Sequence, residues 1–164
     1  MIAIHTDRLT IRESSGRDFS RIYAMLLSEA AGASMVYDVT RDEDEELEKF
    51  LAYIHTVYSV FGFGLWSVVL NDGGEVIGWC GLQPIGDETS PLGRIELGYL
   101  IDRDYRGKGF GYEACRAILD LAFGKLELEE VFARIAEGNV PSVRLARSLG
   151  FVRLRGDLWV AESR

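Results

Sequence analysis

The sequence predicts an α+β fold, in which one mixed and mostly antiparallel sheet of about seven strands lies between about four helices in an α/β/α layered arrangement. Three observations support this fold class. Short apolar and β-branched runs recur along the chain, with turn residues between them. Amphipathic segments with helical spacing separate some of these runs. No internal repeat or flexible linker divides the 164 residues, so a single domain over 1–164 is expected.

The first third of the chain predicts one strand followed by two helices. Residues 9–13 alternate apolar and polar side chains, which is typical of a strand. Ser15 and Asp18 have the spacing of a capping box, which indicates that a helix follows. The second helix, at about 43–61, has a stripe of apolar positions that we expect to be buried. This stripe comprises Leu47, Phe50, Leu51, Ile54, Val57, Tyr58 and Phe61.

The middle of the chain predicts three consecutive antiparallel strands. The apolar runs at 65–70 and 75–83 are separated by Asn-Asp-Gly-Gly at 71–74, which is strong hairpin chemistry. A turn-rich loop is expected at 85–93, because it is rich in Gly, Pro and Asp. The third strand is then expected at 94–101.

The last third predicts a helix, a strand, a second helix and a closing hairpin. The first helix, at about 109–125, carries an apolar stripe, and a short strand is expected at 131–136. Pro141 suits the first turn of the second helix. The hairpin joins 151–155 to 158–161 through a Gly-Asp turn.

Composition and charge exclude several classes of function. The chain is 48% hydrophobic and 27% charged, as in globular proteins, and it has no apolar run of membrane-spanning length. The start lacks the apolar segment of a signal peptide, so a cytoplasmic location is expected. The net charge of −8 argues against a nucleic-acid partner and suits a cationic or amine-bearing one.

The cysteines and histidines do not indicate a reactive or metal site. Cys80 and Cys115 lie in apolar runs, and we interpret them as reduced core residues. His5 and His55 have no partners at the spacing of metal ligands, so no metal is expected.

Three alternating glycines, Gly107, Gly109 and Gly111, lie where the third strand of the middle segment passes into a helix. Glycines let the backbone approach a ligand closely, and the free N–H groups of a first helical turn favour an anion such as pyrophosphate. Arg106 and Lys108 add positive charge. The alternative is a tight turn that needs glycine for steric reasons only.

Two other phosphate motifs do not match this loop. A dinucleotide-binding fingerprint needs a third glycine where Tyr112 stands. A P-loop needs Ser or Thr after Lys108, where the sequence has Gly109.

The loop instead resembles the acetyl-CoA signature of the GNAT superfamily of N-acetyltransferases. In that signature Arg or Gln is followed after two residues by Gly, and after one more by Gly or Ala, which Arg106, Gly109 and Gly111 match. A second segment, Asn-Val-Pro-Ser at 139–142 leading to Leu-Gly-Phe at 149–151, also resembles the family. The pair of motifs is more specific than either alone.

The resemblance covers nearly the whole chain, from about residue 7 to 160. It is greatest to the branch that acetylates alanine at the N-termini of ribosomal proteins, the RimJ/RimL type. The segments at 6–12 and 78–82 are similar to that branch.

The resemblance implies how acetyl-CoA would be bound. Backbone amides of the glycine loop would hold the pyrophosphate, and the pantetheine arm would run along the preceding strand, where the sheet is splayed between the fourth and fifth predicted strands. A backbone N–H there would stabilise the oxyanion. The implied cofactor-binding residues are Leu100, Ile101, Arg106, Gly107, Lys108, Gly109, Phe110, Gly111 and Asn139.

The resemblance also implies a catalytic pair. Glu96, on the strand entering the site, is the candidate base that takes the proton of the amine. The alternative is a carboxylate on an exposed strand face, paired with an arginine. Many relatives have a tyrosine acid where this chain has Ala146, so Ser142 is the candidate acid instead. Ser142 could equally be an ordinary first-turn residue, and Asn139 an ordinary helix cap.

Weaker candidates remain for the acceptor side. The acidic run at 42–48 either steers a cationic substrate or complements a helix dipole. Four aromatic residues, Trp66, Trp79, Tyr37 and Phe63, either line an acceptor pocket or belong to the core.

The resemblance therefore implies acetyl transfer from acetyl-CoA to a primary amine, either a protein N-terminus or a small-molecule amine, by direct attack in a ternary complex. A non-catalytic acyl-CoA-binding or regulatory domain is one alternative, and an interaction scaffold is another. The resemblance also allows a homodimer.

Overall fold

The computed structural model describes residues 3–29, 38–87 and 90–163. These ranges form eight strands and four α-helices. The strands are β1 (Ala3–His5), β2 (Leu9–Arg12), β3 (Leu65–Leu70), β4 (Val76–Asp87), β5 (Ser90–Ile101), β6 (Glu130–Arg134), β7 (Val152–Arg155) and β8 (Leu158–Glu162). The helices are α1 (Phe19–Glu29), α2 (Glu43–Phe61), α3 (Phe110–Asp120) and α4 (Val140–Ser148). Short 3₁₀ turns precede α1 and α3, and a π-helical turn, Leu121–Lys125, extends α3.

The strands form one sheet in the order β1-β2-β3-β4-β5-β6-β8-β7. All neighbours are antiparallel except β5 and β6, which are parallel, so the prediction of a mixed, mostly antiparallel sheet is confirmed. The strand beyond the expected seven is β1, which pairs with β2. Three residues are too few to show a sequence period, which explains why β1 was not predicted.

The loop predicted at 85–93 is wrong, because β4 runs to Asp87 and β5 begins at Ser90. Pro84 pairs with Ile95 inside this longer hairpin. The nitrogen of Pro84 faces the side of β4 on which β3 lies. Since β3 begins opposite Gly81 and does not extend as far as Pro84, the missing N–H costs no hydrogen bond between strands. Gly93 has a φ of +62°, and an added Cβ would lie 1.9 Å from Ile85 O. Pro84 and Gly93, which are residue types common in turns, therefore lie within strands here.

Helices cover both faces of the sheet. One face packs against α1 and α2, in a cluster that includes Phe19, Phe50 and Leu100. The other face packs against α3 and α4, in a cluster that includes Leu97 and Ile118. Successive side chains of a strand point to opposite faces, so β5 contributes to both clusters. The α/β/α layered fold is thereby confirmed.

The apolar stripe predicted for α2 is only partly buried. Phe50 is 1% exposed, whereas Leu51 and Phe61 are each 41% exposed. The stripe is wider than the line along which α2 meets the core, and its outer positions face solvent. Asp42 caps α2 by accepting a hydrogen bond from Glu45 N (3.1 Å), so part of the acidic run has a structural role.

The tryptophans and cysteines are core residues. Trp66 is 1% exposed and Trp79 is fully buried, so neither lines an open pocket. Phe63 packs against the core, and Tyr37 lies outside the described residues. The side chains of Cys80 and Cys115 are buried free thiols with their Sγ atoms 3.9 Å apart, as the sequence predicts. Burial, and then the neighbouring thiol, raise the pKa of Cys115 well above its ordinary value.

The sheet is splayed between β5 and β6, as the resemblance implies. Among the described residues, Glu96 and Phe132 form the one register pair that joins these strands. Beyond Glu96 the strands diverge, and the cleft between them leads to the start of α3. No helix in the described part of the chain is both long and apolar enough to cross a membrane.

Candidate active site

The cleft between β5 and β6 has a volume of about 620 Å³. Its walls come from the end of β5, the loop after it, the start of α3 and the start of α4, and Leu26 of α1 closes one side. The lining residues from these four segments and from the loop between β6 and α4 are Tyr99, Leu100, Ile101, Tyr105, Arg106, Gly107, Gly109, Phe110, Gly111, Tyr112, Ala136, Glu137, Asn139, Pro141, Ser142 and Leu145.

The loop at one end of the cleft takes its shape from glycine. Gly107 and Gly109 have φ values of +73° and +82°, which other residues rarely adopt, and Gly109 is the N-cap of α3. Gly111 differs, because an added Cβ would meet no described atom nearer than 3.7 Å. Neither backbone nor packing demands glycine at 111. Its small size leaves open space in the cleft.

The two cations of the loop lie differently. Arg106 lines the cleft, and its Nε donates a hydrogen bond to Ile101 O at 2.9 Å. Lys108 does not line the cleft. Its Nζ donates to Asp104 O at 3.1 Å and lies 5.3 Å from the centre of the Tyr105 ring. Of the residues expected to bind the cofactor, Lys108 is thus the one that lies outside the cleft wall.

Arg8 holds the glycine loop from outside, a role that the sequence did not reveal. Its NH1 donates to Lys108 O at 2.8 Å, and its guanidinium lies 4.4 Å from the centre of the Phe110 ring. Nε and NH2 of Arg8 both contact Glu113 Oε2 at 2.6 Å. The opening segment and α3 are therefore joined around the loop.

Glu113 is the acceptor at the centre of this network. Thr6 Oγ1 and Arg8 N donate to Glu113 Oε1 at 2.6 and 2.9 Å. Burial by itself would raise the pKa of Glu113, but the hydrogen bonds from Thr6 and Arg8 outweigh it and hold the pKa below the ordinary value. The carboxylate is therefore ionised at neutral pH and anchors Arg8.

Backbone hydrogen bonds show which N–H groups of β5 face the cleft. Asp102 N donates to Ile77 O of β4 at 2.8 Å. The bonding direction alternates along an antiparallel strand, so the N–H of Leu100 also faces β4, and those of Tyr99 and Ile101 face the cleft. The β5–β6 register pair lies earlier along the strand, at Glu96. The cleft therefore has a strand edge with donors directed into it.

Tyr99 and Ser142 form a hydroxyl pair in the cleft wall. Tyr99 Oη and Ser142 Oγ are 2.8 Å apart, and either atom can donate. Burial raises the pKa of Tyr99 to about 12, and the hydrogen bond with Ser142 opposes part of the rise. Tyr99 is thus a protonated phenol at neutral pH. Tyr99 was not predicted as a site residue, because in the sequence it resembles the other apolar residues of a core strand.

The start of α4 orients Ser142. Asn139 Oδ1 accepts a hydrogen bond from Ser142 N at 3.2 Å, so Asn139 is the N-cap of the helix. Both residues line the cleft, and Ser142 is 4% exposed. Ala146, one turn later, is buried in the core.

Glu96 lies apart from the cleft lining, at the point where the strands still pair. Its side chain is 5% exposed, so the alternative of an exposed-face carboxylate is wrong. It is nevertheless paired with arginine, since Arg134 Nη2 donates to Oε1 at 3.3 Å, and Arg94 Nε lies 3.9 Å from the same oxygen. The two candidate catalytic residues therefore lie in different places, Ser142 in the cleft wall and Glu96 at its closed end.

Comparison with known proteins gives the family of the chain. Residues 8–152 match the family described as an acetyltransferase (GNAT) domain. An uncharacterized N-acetyltransferase, p20, from Bacillus licheniformis is 28% identical over 151 residues, which are 92% of this chain and 83% of that protein.

Solved structures share the fold. The ribosomal-protein-S5-alanine acetyltransferase of Vibrio fischeri superposes with a TM-score of 0.79 at 18% identity, covering 99% of this chain and 97% of that one. A putative acetyltransferase from Salmonella typhimurium, solved with its cofactor acetyl-CoA, has a TM-score of 0.71 at 21% identity, covering 95% and 94%. The family match, which spans most of the sequence, shows that this chain belongs to the GNAT acetyltransferases.

Proposed function

We propose that the chain is an N-acetyltransferase that moves the acetyl group of acetyl-CoA onto a primary amine, by direct attack in a ternary complex. The observation that carries this proposal is the edge of β5, whose Tyr99 and Ile101 N–H groups face a cleft that ends at a helix N-terminus. A thioester supplies the acetyl group, and donors fixed on a strand edge are suited to stabilising charge on its carbonyl oxygen.

The cleft has the features that an acetyl-CoA site needs. The first-turn N–H groups of α3 and the cation Arg106 suit a pyrophosphate. The space beside Gly111 allows a ligand to pass close to the backbone. Leu100, Ile101 and Leu145 supply an apolar wall for a pantetheine arm. Asn139 would contribute by fixing the start of α4.

Glu96 is the proposed base. An alkyl ammonium has a pKa of about 10, so an amine acceptor must lose a proton before it attacks. Because Glu96 lies at the closed end of the cleft rather than in its lining, we expect it to take the proton through a water molecule. Arg134 would hold the carboxylate in place.

Ser142 is the proposed proton donor to the departing thiolate. Its hydroxyl is in the cleft wall, and the protonated phenol of Tyr99 can replace the proton across their 2.8 Å contact. The pair would thus serve in place of the tyrosine that relatives have at the position of Ala146.

The proposal extends to the class of acceptor, the cellular location and the oligomeric state. The acceptor is either a protein N-terminus or a small-molecule amine. Two free thiols 3.9 Å apart suit a reducing compartment, which supports the cytoplasm. A homodimer rests on the family resemblance alone.

A matched pair of glycine variants tests the cofactor site. Gly111→Leu fills the space in the cleft without backbone strain, and Gly124→Leu places the same side chain where nothing lies within 4 Å of the new Cβ. We expect acetyl-CoA to raise the melting temperature of wild type and Gly124→Leu, by an amount that corresponds to about 2.7 kcal/mol at a hundred times Kd. Gly111→Leu should lose this rise.

Thiol release from acetyl-CoA then separates the candidate functions. Release that depends on an added amine supports the transferase. A thermal shift without release, across a panel of peptides and polyamines, would instead indicate an acyl-CoA-binding domain. No thermal shift at saturating acetyl-CoA would reject both.

A further inference from the structure

The face of the sheet beside Glu96 carries a second cavity. Leu97 and Tyr99 of β5 belong to the layer with α3, so the alternate residues Arg94 and Glu96 point to the opposite face. Arg134 points to that face too, as its ion pair with Glu96 shows. Arg94, Glu96 and Arg134 therefore share this face. The β7–β8 turn adds Arg155 and Asp157 to it.

The cavity has a volume of about 330 Å³ and lies between the ends of three strands. Its lining residues are Arg94, Arg134, Arg155, Gly156, Asp157 and Leu158. It is separate from the cleft, since the two have no lining residue in common. It opens to solvent, and Arg155 is exposed at its rim.

The charge of this cavity is opposite to that of the chain. The whole chain has a net charge of −8, yet three guanidinium groups line the cavity beside one carboxylate of the lining, Asp157. Glu96 adds a second carboxylate from the side and is shared between Arg94 and Arg134. The local balance is therefore positive.

Arg134 retains donors for a further anion. A guanidinium has five N–H donors, and Arg134 uses Nη2 for Glu96 at 3.3 Å. The Arg134 side chain is 40% exposed, so N–H groups that Glu96 does not engage can meet a ligand in the cavity. The guanidinium of Arg94 lies 5.8 Å from the centre of the Phe132 ring, a contact that restrains its position. Fixed, planar guanidinium groups suit a carboxylate, which they can bind in bidentate fashion.

The cavity is close enough to the cleft to act on the same substrate. Arg134 lines the cavity, and Ala136, two residues farther along the chain, lines the cleft. Two residues of extended chain span roughly 7 Å. One small molecule or peptide end could reach both.

We propose that this cavity binds a carboxylate of the acceptor, so that the preferred acceptors are amines that also carry a carboxylate able to reach Arg134, such as a peptide N-terminus with Glu at its second position. The inference rests on the proposed function and narrows it. The net charge of the chain alone favoured a cationic acceptor. The cavity favours an anionic group instead, because the nearest charges determine the electrostatic field at the site.

Three matched peptides test the inference. They begin Ala-Glu, Ala-Gln and Ala-Lys, have amidated C-termini, and differ only in the second side chain, which is anionic, neutral or cationic. We expect kcat/KM, measured by thiol release, to be about tenfold higher for Ala-Glu than for Ala-Gln, because hydrogen bonds to a charged carboxylate are stronger than those to a neutral amide. Ala-Lys should be the poorest substrate.

Variants assign the preference to the cavity. Arg134→Gln and Arg155→Gln should each lower the Glu-to-Gln ratio towards one, mainly through KM. Arg155 is exposed and makes no contact with Glu96 among the described contacts. If Arg134→Gln impairs folding, Arg155→Gln can therefore still show whether the cavity sets the preference for Glu. Arg116→Gln removes the same charge from the outer side of α3, where Arg116 pairs with Asp120, and should leave the ratio unchanged.

The outcomes separate this inference from the function on which it rests. Equal rates for the three peptides, or a preference for Ala-Lys, would overturn the inference and leave the acetyltransferase proposal standing. A Glu preference that survives Arg155→Gln and Arg134→Gln would also overturn it. No release with any amine would overturn the proposed function, and the inference with it.

Discussion

The open and closed ends of the splayed strands are built in different ways. At the open end, positive φ values at Gly107 and Gly109, the first turn of α3 and the edge of β5 provide donors from the backbone. At the closed end, Glu96, Arg94 and Arg134 provide charge from side chains of two strands. The difference teaches that the open end, which under the proposed function binds the cofactor, depends on glycines and backbone donors rather than on charged side chains. The closed end, which under the proposed function meets the acceptor, depends on charged side chains.

The largest expected effect is therefore at the closed end. Glu96→Gln removes the proposed proton acceptor and should lower kcat by about a hundredfold at neutral pH. The Kd for acetyl-CoA, read from thermal shifts, should change less than about twofold, because Glu96 lies outside the cleft lining. Higher pH should restore part of the rate, since the amine then loses its proton without help. An unchanged kcat at neutral pH would remove Glu96 from the mechanism.

The hydroxyl pair should give the next largest effect. Ser142→Ala should lower kcat by about tenfold, less than a base variant, because a thiolate with an ordinary pKa of about 8.5 leaves readily. Ser148→Ala is the matched control on the same helix, where the exposed hydroxyl donates to Leu145 O, and it should retain full activity. Tyr99→Phe should lower kcat less, and combined with Ser142→Ala it should add little. Additive losses would show that the two hydroxyls act separately.

A smaller effect is expected where a side chain supports the backbone of the loop. Arg8→Ala removes the contacts to Lys108 O and Glu113, and should raise KM for acetyl-CoA about fivefold with kcat nearly unchanged. Since the pKa of Glu113 is held below its ordinary value of 4.5, the stabilisation from this network is present above that pH and is lost as the pH falls through the lowered pKa.

Melting curves at several pH values check the second part of this prediction. The gap in melting temperature between wild type and Arg8→Ala should be full at pH 7 and should close in the acid range below 4.5. A gap that persists when Glu113 is protonated would mean that Arg8 acts through its contacts with Lys108 O and the Phe110 ring rather than through the ion pair.

The smallest effect is expected for Lys108→Ala. Although its position in the glycine motif suggests a ligand contact, its ammonium group is directed to Asp104 O and the Tyr105 ring. We expect the Kd for acetyl-CoA to rise by about twofold or less, with a weak dependence on salt. A tenfold loss would show that Lys108 turns towards the ligand when it binds.

The sequence predicts those parts of the site that are local in the chain. The alternating glycines, the helix that begins after Gly109 and the Asn139 cap each lie within one short segment, and each is present in the structure. The splay follows from family resemblance rather than from spacing. These features could be predicted because turn and cap geometries restrict residue choice over a few positions.

The missed features are contacts between distant segments. Arg8 and Glu113 are 105 positions apart, and Tyr99 and Ser142 are 43 apart. The arginine cavity draws on β5, β6 and the β7–β8 turn. No periodicity or motif links such residues. The longer β4–β5 hairpin was missed for a related reason, since pairing with a neighbouring strand overrides local turn preference.

The single pairing of Glu96 with Phe132 also bears on how long the protein survives. Strands β6, β7 and β8 are joined to the other five by that one described register pair and by packing. Under the proposed function, a bound pantetheine arm would supply backbone-like hydrogen bonds across the gap and tie the two parts together. Resistance to proteolysis would then track the supply of acetyl-CoA, so the cell's metabolic state would set the lifetime of this protein as well as its rate.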